Sequence, residues 1–501
     1  MGRISPDDIF ELISEDLLSS GDKEIIRKLR TSGRNTARER IYNLLDEGTF
    51  IEFGKFVDHR SREHDMYFHS SLGDGVITGH GLIDGRKVVC FSQDFSVYQG
   101  TMGEMHAKKI SKLIDFAIKA KIPIIGIWDS YGLRVNETTG SLGPSGELLE
   151  AFVACSGYIP IISIVMGSVV GTSSLSVAIS DFTIQVENFG KISLNLPQEI
   201  PEIKNGEIKF DDISNSECHS EKTGLVALVA DDEEDAFNLA SEILSFIPDH
   251  TMAEPLKLVT SDKINRKCRI KFDDDTDQHI DMMKIILEVV DNKQIIEFFS
   301  GYAQNIIIAL SRLDGQSIGI VANQSFNSNG YLDTDAAIKA ARFIRFCDCF
   351  NIPIITFVDS MGFLPDVEQH NSGLITGGSK LIYAYSEASV PKLTVLIGNV
   401  FEEAYLVMCP KELGCDYNVA WPSSKLKFVI NEVFSGFSTE DELIENKEKD
   451  LVLGPYELTK IGKLDDVINP NETRISLVKS LRLLQSKREL LFSKKHGNIP
   501  L

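Results

Sequence analysis

Several common catalytic motifs are missing from this chain of 501 residues. It has no Walker loop for nucleotide phosphates, no pair of histidines at metal-ligand spacing and no evident pair of catalytic carboxylates. The usual catalytic constellations are therefore absent, and the sequence predicts no metal. Any chemistry must depend on backbone hydrogen-bond donors and on the substrate itself.

Metal-binding cysteine pairs and long apolar runs are missing as well. The eight cysteines form no C-x-x-C pair, and several of them lie in apolar runs. This usage predicts reduced, buried thiols in a cytoplasmic protein. The longest apolar run, Ile159 to Val170, is too short to cross a bilayer. The N-terminus also lacks the apolar core of a signal peptide, so we expect neither a membrane segment nor export.

Positive charge is scarce in this sequence. The chain has 51 basic and 73 acidic residues, which gives a formal net charge of −22. Long-range repulsion then opposes binding to nucleic acids and to anionic membrane surfaces. We expect no nucleic-acid partner and no membrane partner.

What the chain does contain is an internal duplication at an offset of 230 residues. The stretch "DGRKVVCFSQDF" at 84–95 is matched by "DGQSIGIVANQSF" from 314, and "KIPIIGIWDSYG" is matched by "NIPIITFVDSMG". Identical residues at this offset include Asp84 and Asp314, Gly85 and Gly315, Phe116 and Phe346, Pro123 and Pro353, Asp129 and Asp359, and Gly132 and Gly362. An offset held through strand, helix and turn indicates a duplicated domain, and two related halves can present two related sites.

Strand and helix patterns alternate within each half. The D-G pair at 84–85 predicts a hairpin, and apolar residues at 3-4 spacing over 104–121 predict a helix packed on a sheet. Strand patterns follow at "IPIIGIWD" and "IPIISIVMG", so the alternation predicts a layered α/β fold. The polar stretch 196–223 is predicted to be a loop or lid. Periodicity is lost over 249–275, where we place a boundary near 265 between domains 1–265 and 266–501.

The turn after the strand "IPIISIVMG" is the first candidate site. Its sequence "GTSSLSV", at 171–177, predicts a helix that opens with free backbone N–H groups, which can hold a developing oxyanion. An ordinary strand-to-helix turn fits this motif better when it is taken alone. The same two interpretations apply to "FEEAYLV" at 401–407 in the second half.

Several charged side chains also have two interpretations. The two aspartates that end the matched strands are either catalytic acids or bases or, more simply, turn caps. The two histidines are interpreted as structural or solvated, and the two lysines as a solvated helix face that can also attract a phosphorylated ligand. These residues are Asp129, Asp359, His106, His219, Lys108 and Lys109.

From about residue 25 to the C-terminus the chain resembles a known family. The stretches that carry the resemblance are "TARERIYNLLDEGTFIEF", "GHGLIDGRKVVCFSQDFSVYQGTMGEMHAKKI", "ARFIRFCDCFNIPIITFVDSMGFLP" and "SEASVPKLTVL". They are similar to the carboxyltransferase (β) subunits of biotin-dependent acyl-CoA carboxylases, of the propionyl-CoA carboxylase and methylmalonyl-CoA carboxyltransferase type. The resemblance implies two tandem crotonase-like domains, with the acyl-CoA side in 1–265 and the biotin side in 266–501.

The resemblance also implies a mechanism, namely carboxyl transfer from carboxybiotin to the α-carbon of a short acyl-CoA through an enolate. Two oxyanion holes made of backbone N–H groups support this chemistry without a catalytic triad. The implied catalytic residues are Gly171, Thr172, Glu403 and Ala404, and the implied ligand-binding residues are Arg134, Ser173, His219 and Leu406. The implied partners are a biotin carboxylase, a biotin carrier and further copies in a homo-hexamer or mixed hexamer.

The chain departs from the family at both predicted holes. Members carry Gly-Gly-Ala in each hole, whereas this chain has Gly171-Thr172-Ser173 in the first and Glu402-Glu403-Ala404 in the second. "SYGLR" at 130–134 replaces Gly-Gly-Ala-Arg, and Thr376-Gly377 replaces Arg-His. The two glutamates add bulk and negative charge where bare backbone should approach an anionic oxygen. The acyl-CoA half therefore follows the family pattern better than the biotin half.

Three functions remain open on the sequence alone. The first is biotin-dependent carboxylation of a short acyl-CoA. The second is a divergent biosynthetic paralogue that carries out biotin-independent enolate chemistry on acyl-CoA. The third is a non-catalytic partner that completes a mixed hexamer. Neither the acyl group nor the pathway is specified by these motifs.

Overall fold

The computed structural model describes residues 10, 21–64, 66, 71–270, 280–430, 449–487, 489 and 494–500. The chain divides into two compact units, Met1–Ala253 and Glu254–Leu501. This division falls within the stretch 249–275 that the sequence assigns to the junction. The assignment of 1–265 to acyl-CoA and of 266–501 to biotin stays a prediction.

The N-terminal unit alternates strands with helices. Its strands are β1 (Ile51–Phe53), β2 (Val76–Ile83), β3 (Arg86–Gln93), β4 (Ile124–Ser130), β5 (Ile161–Val170), β6 (Phe182–Val186), β7 (Lys191–Ser193) and β8 (Leu228–Ala230). Its helices are α1 (Lys23–Thr31), α2 (Ala37–Leu44), α3 (Glu104–Ala120), α4 (Leu142–Cys155), α5 (Thr172–Ile179), α6 (Pro201–Lys204), α7 (Asp211–Ser214) and α8 (Glu233–Phe246). The strands form one sheet in the order β1-β2-β3-β4-β5-β6-β8, and β7 pairs with the end of β5.

The C-terminal unit repeats this arrangement. Its strands are β9 (Ile295–Phe298), β10 (Ile306–Leu313), β11 (Gln316–Asn323), β12 (Ile354–Ser360), β13 (Lys392–Phe401), β14 (Tyr417–Ala420), β15 (Lys425–Ile430), β16 (Lys449–Leu453) and β17 (Asp466–Val467). Its helices are α9 (Met282–Val289), α10 (Thr334–Cys349), α11 (Val367–Asn371), α12 (Leu374–Glu387), α13 (Glu402–Val407), α14 (Pro455–Lys460) and α15 (Thr473–Leu484). The strand order is β16-β15-β13-β12-β11-β10-β9, and β14 lies between β13 and β17.

The D-G pairs form the predicted hairpins. Asp84 and Gly85 have φ of 48° and 77°, and Asp314 and Gly315 have φ of 55° and 76°. Two consecutive left-handed residues make the type I′ turn that suits the twist of β2–β3 and β10–β11. In the first turn both N–H groups donate to the carboxylate of Asp46. In the second turn they donate to Asp291.

The central strands are parallel and end at matching irregularities. The register between β4 and β5 shifts between Trp128 and Ser130, and the register between β12 and β13 shifts between Val358 and Ser360. Each shift lies next to the turn that follows the strand. The candidate sites therefore lie at the carboxyl ends of parallel strands, as is usual for ligand sites in α/β folds.

The stretch 196–223, predicted to be a loop or lid, contains more structure than that prediction allows. It holds helices α6 and α7, a 3₁₀ turn at Pro197–Glu199 and a π-type turn at Cys218–Lys222. Residues 7–46 alternate apolar and charged positions at helical spacing, which predicts a helical arm before the first core. Helices α1 and α2 lie within this stretch. Residues 7–9 and 11–20 lie outside the described residues.

Candidate functional site

The first candidate turn joins β5 to α5. Gly171 has φ 69° and ψ −142°, a conformation that essentially only glycine adopts without strain. Its N–H donates to the carbonyl of Ser193 at 3.0 Å, in line with the pairing of β7 on β5. The N–H of Gly171 is therefore not a free donor, which corrects the expectation for that residue. The N–H groups of Thr172 and Ser173 lie in the first helical turn and have no acceptor within the helix.

Gly132, at the end of the "DSYG" turn, faces the Gly171 turn across a narrow gap. A Cβ placed on Gly171 would lie 3.9 Å from the Cα of Gly132, and a Cβ on Gly132 would lie 2.9 Å from the carbonyl oxygen of Val170. Two backbone turns thus approach each other without side chains between them. Such bare backbone can bind a flat, polar group of a substrate closely.

Ser173 adds a side chain to this turn. It is fully buried, and among the described residues its hydroxyl Oγ has no hydrogen-bond partner. Thr172 beside it is half-buried. A buried hydroxyl without a partner is uncommon in native proteins and is costly unless a ligand or water satisfies it.

The second candidate turn joins β13 to α13 and has a different backbone. Phe401, which ends β13, has φ −86° and ψ 157°, and the helix begins directly at Glu402. The left-handed glycine of the first turn thus has no counterpart here. The Glu402 side chain lies outside the described residues.

Glu403 is exposed, and its Oε2 lies 3.8 Å from the position that a Cβ on Gly362 would take. Gly362 is the counterpart of Gly132, so this carboxylate lies beside the turn that follows the neighbouring strand β12. Ala404 is fully buried, and Leu406 is half exposed on the same short helix.

Arg134 lies in an internal ion cluster. Its guanidinium group donates to the carboxylates of Asp74 and Glu137, the latter at 2.9 Å, and to the carbonyl of Thr101 at 2.9 Å. It also stacks over the ring of Tyr98, with 4.7 Å between the guanidinium carbon and the ring centroid. Arg134 is only 2% exposed. These contacts give it a structural role in the protein, and its direct contact with a ligand stays a prediction.

His219 is also held by internal hydrogen bonds. Its Nε2 lies 2.8 Å from the carbonyl of Ile192, and its Nδ1 lies 3.0 Å from the hydroxyl of Thr223. Burial lowers the pKa of His219, which favours the neutral ring. The interpretation of His219 as a solvated loop histidine is wrong. It ties the π-type turn to β7, the strand that accepts the N–H of Gly171.

The lysine pair on α3 corrects a second expectation. Lys108 is partly exposed and pairs with Glu104 at 2.6 Å, whereas Lys109 is only 5% exposed. The Nζ of Lys109 donates to the carbonyls of Gly73 and Val76 at 2.8 and 2.5 Å, and burial lowers its pKa to about 8. Lys109 is therefore no part of a solvated face.

Lys339 occupies the matching position in the other unit. Its Nζ donates to the four carbonyls of Phe299, Tyr302, Ala303 and Ile306. Burial lowers its pKa to about 8 as well. Each lysine thus fastens the loop that precedes the long hairpin of its own unit.

The matched aspartates are both buried. Asp129 accepts hydrogen bonds from Arg34 and Arg40, while Asp359 accepts the N–H of Asn399 at 3.0 Å. The structural interpretation of these aspartates fits their contacts better than a catalytic one.

Two further properties concern only the part of the chain that the structure describes. None of its helices is long and apolar enough to cross a bilayer. Within the same ranges, no group of three or more His, Cys, Asp or Glu is placed to hold a metal ion.

Two α/β units of the same layout, the first with backbone N–H donors in the turn after a buried strand, fit the crotonase-like class. Residues 28–499 match the family described as carboxyl transferase domain. The biotin-dependent acetyl-/propionyl-coenzyme A carboxylase beta5 subunit of Mycobacterium tuberculosis is 37% identical over 97% of this chain and 93% of its own length. The methylmalonyl-CoA decarboxylase subunit alpha of Veillonella parvula is 38% identical over 98% of each chain.

A solved structure gives the same result. The crystal structure of transcarboxylase 12S, a hexamer with methylmalonyl-coenzyme A and methylmalonic acid bound, superposes with a TM-score of 0.92 at 34% identity and covers 100% of both chains. The chain therefore belongs to the carboxyl transferase family. The predicted fold class, two tandem crotonase-like domains, and the predicted acyl-CoA carboxyltransferase class of enzyme are confirmed.

Proposed function

We propose that this chain transfers a carboxyl group between biotin on a carrier protein and the α-carbon of a short acyl-CoA. The proposal is supported by its family membership and by the names of its relatives, which include a biotin-dependent carboxylase and a methylmalonyl-CoA decarboxylase. Biotin supplies the carboxyl group or accepts it, depending on the direction of the reaction.

The observation that carries this proposal is the Gly171 turn. The N–H groups of Thr172 and Ser173 lack helical acceptors, and the buried Ser173 hydroxyl has no partner among the described residues. We infer that the thioester oxygen of acyl-CoA lies at these donors and that they stabilise its negative charge as the α-proton leaves. Each preorganised donor of this kind typically lowers the activation barrier by about 3 to 4 kcal/mol.

The second turn fits biotin less well. A ureido oxygen that becomes anionic needs donors and open backbone, yet the carboxylate of Glu403 lies beside Gly362. A carboxylate near a developing anion raises the energy of that anion. We therefore propose that biotin binds in the C-terminal unit at the N–H groups of Glu403 and Ala404, but that Glu403 weakens its use.

The remaining parts of the proposal follow from the relatives. Transcarboxylase 12S assembles as a hexamer, and we propose a hexamer for this chain, either of identical copies or mixed with a second subunit. A biotin carrier and a biotin carboxylase are the proposed protein partners. Eight cysteines without a disulfide fit a cytoplasmic location.

The direct test is a panel of acyl-CoA thioesters with a biotin donor. Purified protein is incubated with acetyl-, propionyl- and butyryl-CoA plus carboxybiotin, and with methylmalonyl-CoA plus free biotin. Products are identified by mass. We expect a gain of one carboxyl group in the first set or its loss in the second. Absence of any biotin-dependent change with every thioester would contradict the proposal.

The glutamates of the second turn are tested with a Glu402→Gly, Glu403→Gly double variant. We expect it to carboxylate acyl-CoA with a biotin donor roughly tenfold faster than the unchanged protein, because one negative charge near the anion is worth about one pKa unit or more. Thr172→Gly, which restores glycine in the other turn, is the matched control and should not produce this gain. Equal rates for the double variant and the unchanged protein would show that the glutamates do not hinder biotin.

The position of the Glu403 carboxylate beside Gly362 also favours a second candidate function. If Glu403 excludes biotin, the N-terminal turn still offers donors for enolate chemistry on acyl-CoA. Such an enzyme would exchange the α-protons of acyl-CoA with solvent deuterium without biotin. The double variant and the exchange assay together separate this candidate from the first.

A further inference from the structure

A buried chain of hydrogen bonds ends at Asp129, which precedes the turn at Gly132. The Nδ1 of His106 lies 3.0 Å from the carbonyl oxygen of Asp74, and its Nε2 lies 3.2 Å from the Nε2 of Gln93. The Oε1 of Gln93 accepts the backbone N–H of Asp129 at 3.1 Å. Since the amide of Gln93 donates to Nε2, the ring must carry its proton on Nδ1 and donate to Asp74. His106, Gln93 and Asp129 are all fully buried.

Each end of this chain is closed by arginine. At one end Asp74 accepts from Arg134, which also donates to the carbonyl of Thr101. At the other end the Oδ2 of Asp129 accepts from Arg34 at 2.5 Å and from Arg40 at 2.9 Å. The path therefore links two buried ion clusters through a neutral histidine and an amide.

The two arginines at the Asp129 end contact both strands that lead to the site. Besides Asp129 on β4, Arg34 and Arg40 donate to the carbonyl of Met166 on β5, at 2.9 and 3.2 Å. β4 continues into the turn that ends at Gly132, and β5 continues into the turn at Gly171. The arginines therefore fix the distance between β4 and β5 a few residues before the two turns, and the gap between the turns depends on that distance.

The C-terminal unit keeps only part of this hydrogen-bond path. Asn323 occupies the position of Gln93 and accepts the N–H of Asp359 at 3.4 Å. Ala336 occupies the position in the C-terminal unit that is equivalent to His106. Among the described residues, the Nδ2 of Asn323 has no partner and is buried. In both units a side-chain amide oxygen thus accepts the backbone N–H of the matched aspartate. In the N-terminal unit that amide is also hydrogen-bonded to a buried histidine.

We infer that Arg34, with the His106–Gln93–Asp129 chain behind it, positions the Gly171 and Gly132 turns for the thioester oxygen. None of these residues touches the substrate, and each acts through the backbone of β4 and β5. The inference rests on the proposed function, in which acyl-CoA binds at the Gly171 turn. A displacement of about 1 Å at such a site can lower the rate roughly a hundredfold.

The test variant is Arg34→Gln, because Arg34 is 14% exposed and its replacement is tolerated more easily than that of a fully buried residue. Arg38→Gln is the matched control. Arg38 is 19% exposed and pairs with Glu52 at 2.8 Å. We expect Arg34→Gln to lower kcat for carboxyl transfer roughly tenfold to a hundredfold with KM for acyl-CoA within threefold, and Arg38→Gln to change kcat less than twofold. Arg34→Lys, which keeps the charge, should recover part of the loss.

Amide hydrogen exchange supplies a readout that needs no activity. Peptides covering 128–134 and 166–176 should exchange faster in Arg34→Gln than in Arg38→Gln, while peptides from α3 should not differ. Unchanged exchange in both peptides would overturn the inference, as would faster exchange with an unaltered kcat. If the unchanged protein transfers no carboxyl group, the proposed function fails, and the exchange result alone decides whether Arg34 holds the turns.

Discussion

His106 shows how burial sets the state of a single side chain. It is fully buried, and burial first, then the charges of Arg134 and Lys109, hold its pKa well below its usual range. The hydrogen bond between the His106 ring and the backbone carbonyl of Asp74 favours the charged form but does not outweigh these effects. The ring is therefore neutral in the folded protein at every pH near 7.

This neutrality predicts a pH dependence of stability. Below pH about 6.5 the unfolded chain binds a proton at His106 and the folded chain does not. The free energy of unfolding then falls as the pH drops, by up to about 1.4 kcal/mol per pH unit. His106→Gln should remove this part of the slope between pH 6.5 and 5, as measured by urea denaturation. A variant with the slope of the unchanged protein would contradict the assignment.

Single residues also show where sequence reasoning stops. The left-handed turn at Asp84 and Gly85 was predictable because its chemistry is local. The burial of Lys109 was not, since it depends on carbonyls of residues more than thirty positions earlier. One signal was available, because Lys109 and Lys339 pair at the same offset as the residues that reveal the duplication.

At the scale of elements, the link between β5 and α5 depends on one glycine conformation. Gly171→Ala places a Cβ on a residue with φ 69° and ψ −142°, which costs about 1 to 3 kcal/mol or forces the turn to move. We expect at least a tenfold loss of kcat at saturating acyl-CoA. Gly143→Ala in α4 is the control, because apart from its chain neighbours and the backbone of its own helix no atom lies within 4 Å of its added Cβ, and its activity should be unchanged.

Elements were predictable where pattern and packing agree. The hairpins, α3, and strands β4 and β5 follow from turn chemistry and periodicity, and they position the first site. The helices in 196–223 were missed because each is only four residues long and too short to show a period. The use of the Gly171 N–H by Ser193 was also unpredictable, since it depends on β7 pairing with the end of β5.

At the scale of the whole molecule, the cysteines give a simple check. All eight are reduced, and six are buried, while Cys218 and Cys349 are partly exposed. A thiol reagent should therefore modify at most two cysteines rapidly in the native protein and all eight after denaturation. Two of the buried thiols also resist ionisation, because burial raises the pKa of Cys90 and Cys155 to about 12. Rapid native labelling of more than two thiols would contradict the packing.

Lys109 and Lys339 have a consequence for an enzyme that handles thioesters. Thioesters acylate neutral amines, and a lysine with a pKa of about 8 presents far more neutral amine near pH 7.5 than an ordinary one. Because both amines are enclosed among backbone carbonyls, they are kept away from the enzyme's own substrate. After long incubation with acyl-CoA, mass spectrometry should find acyl groups on exposed lysines such as Lys28 and none on these two. The fold would thus protect the enzyme from self-acylation.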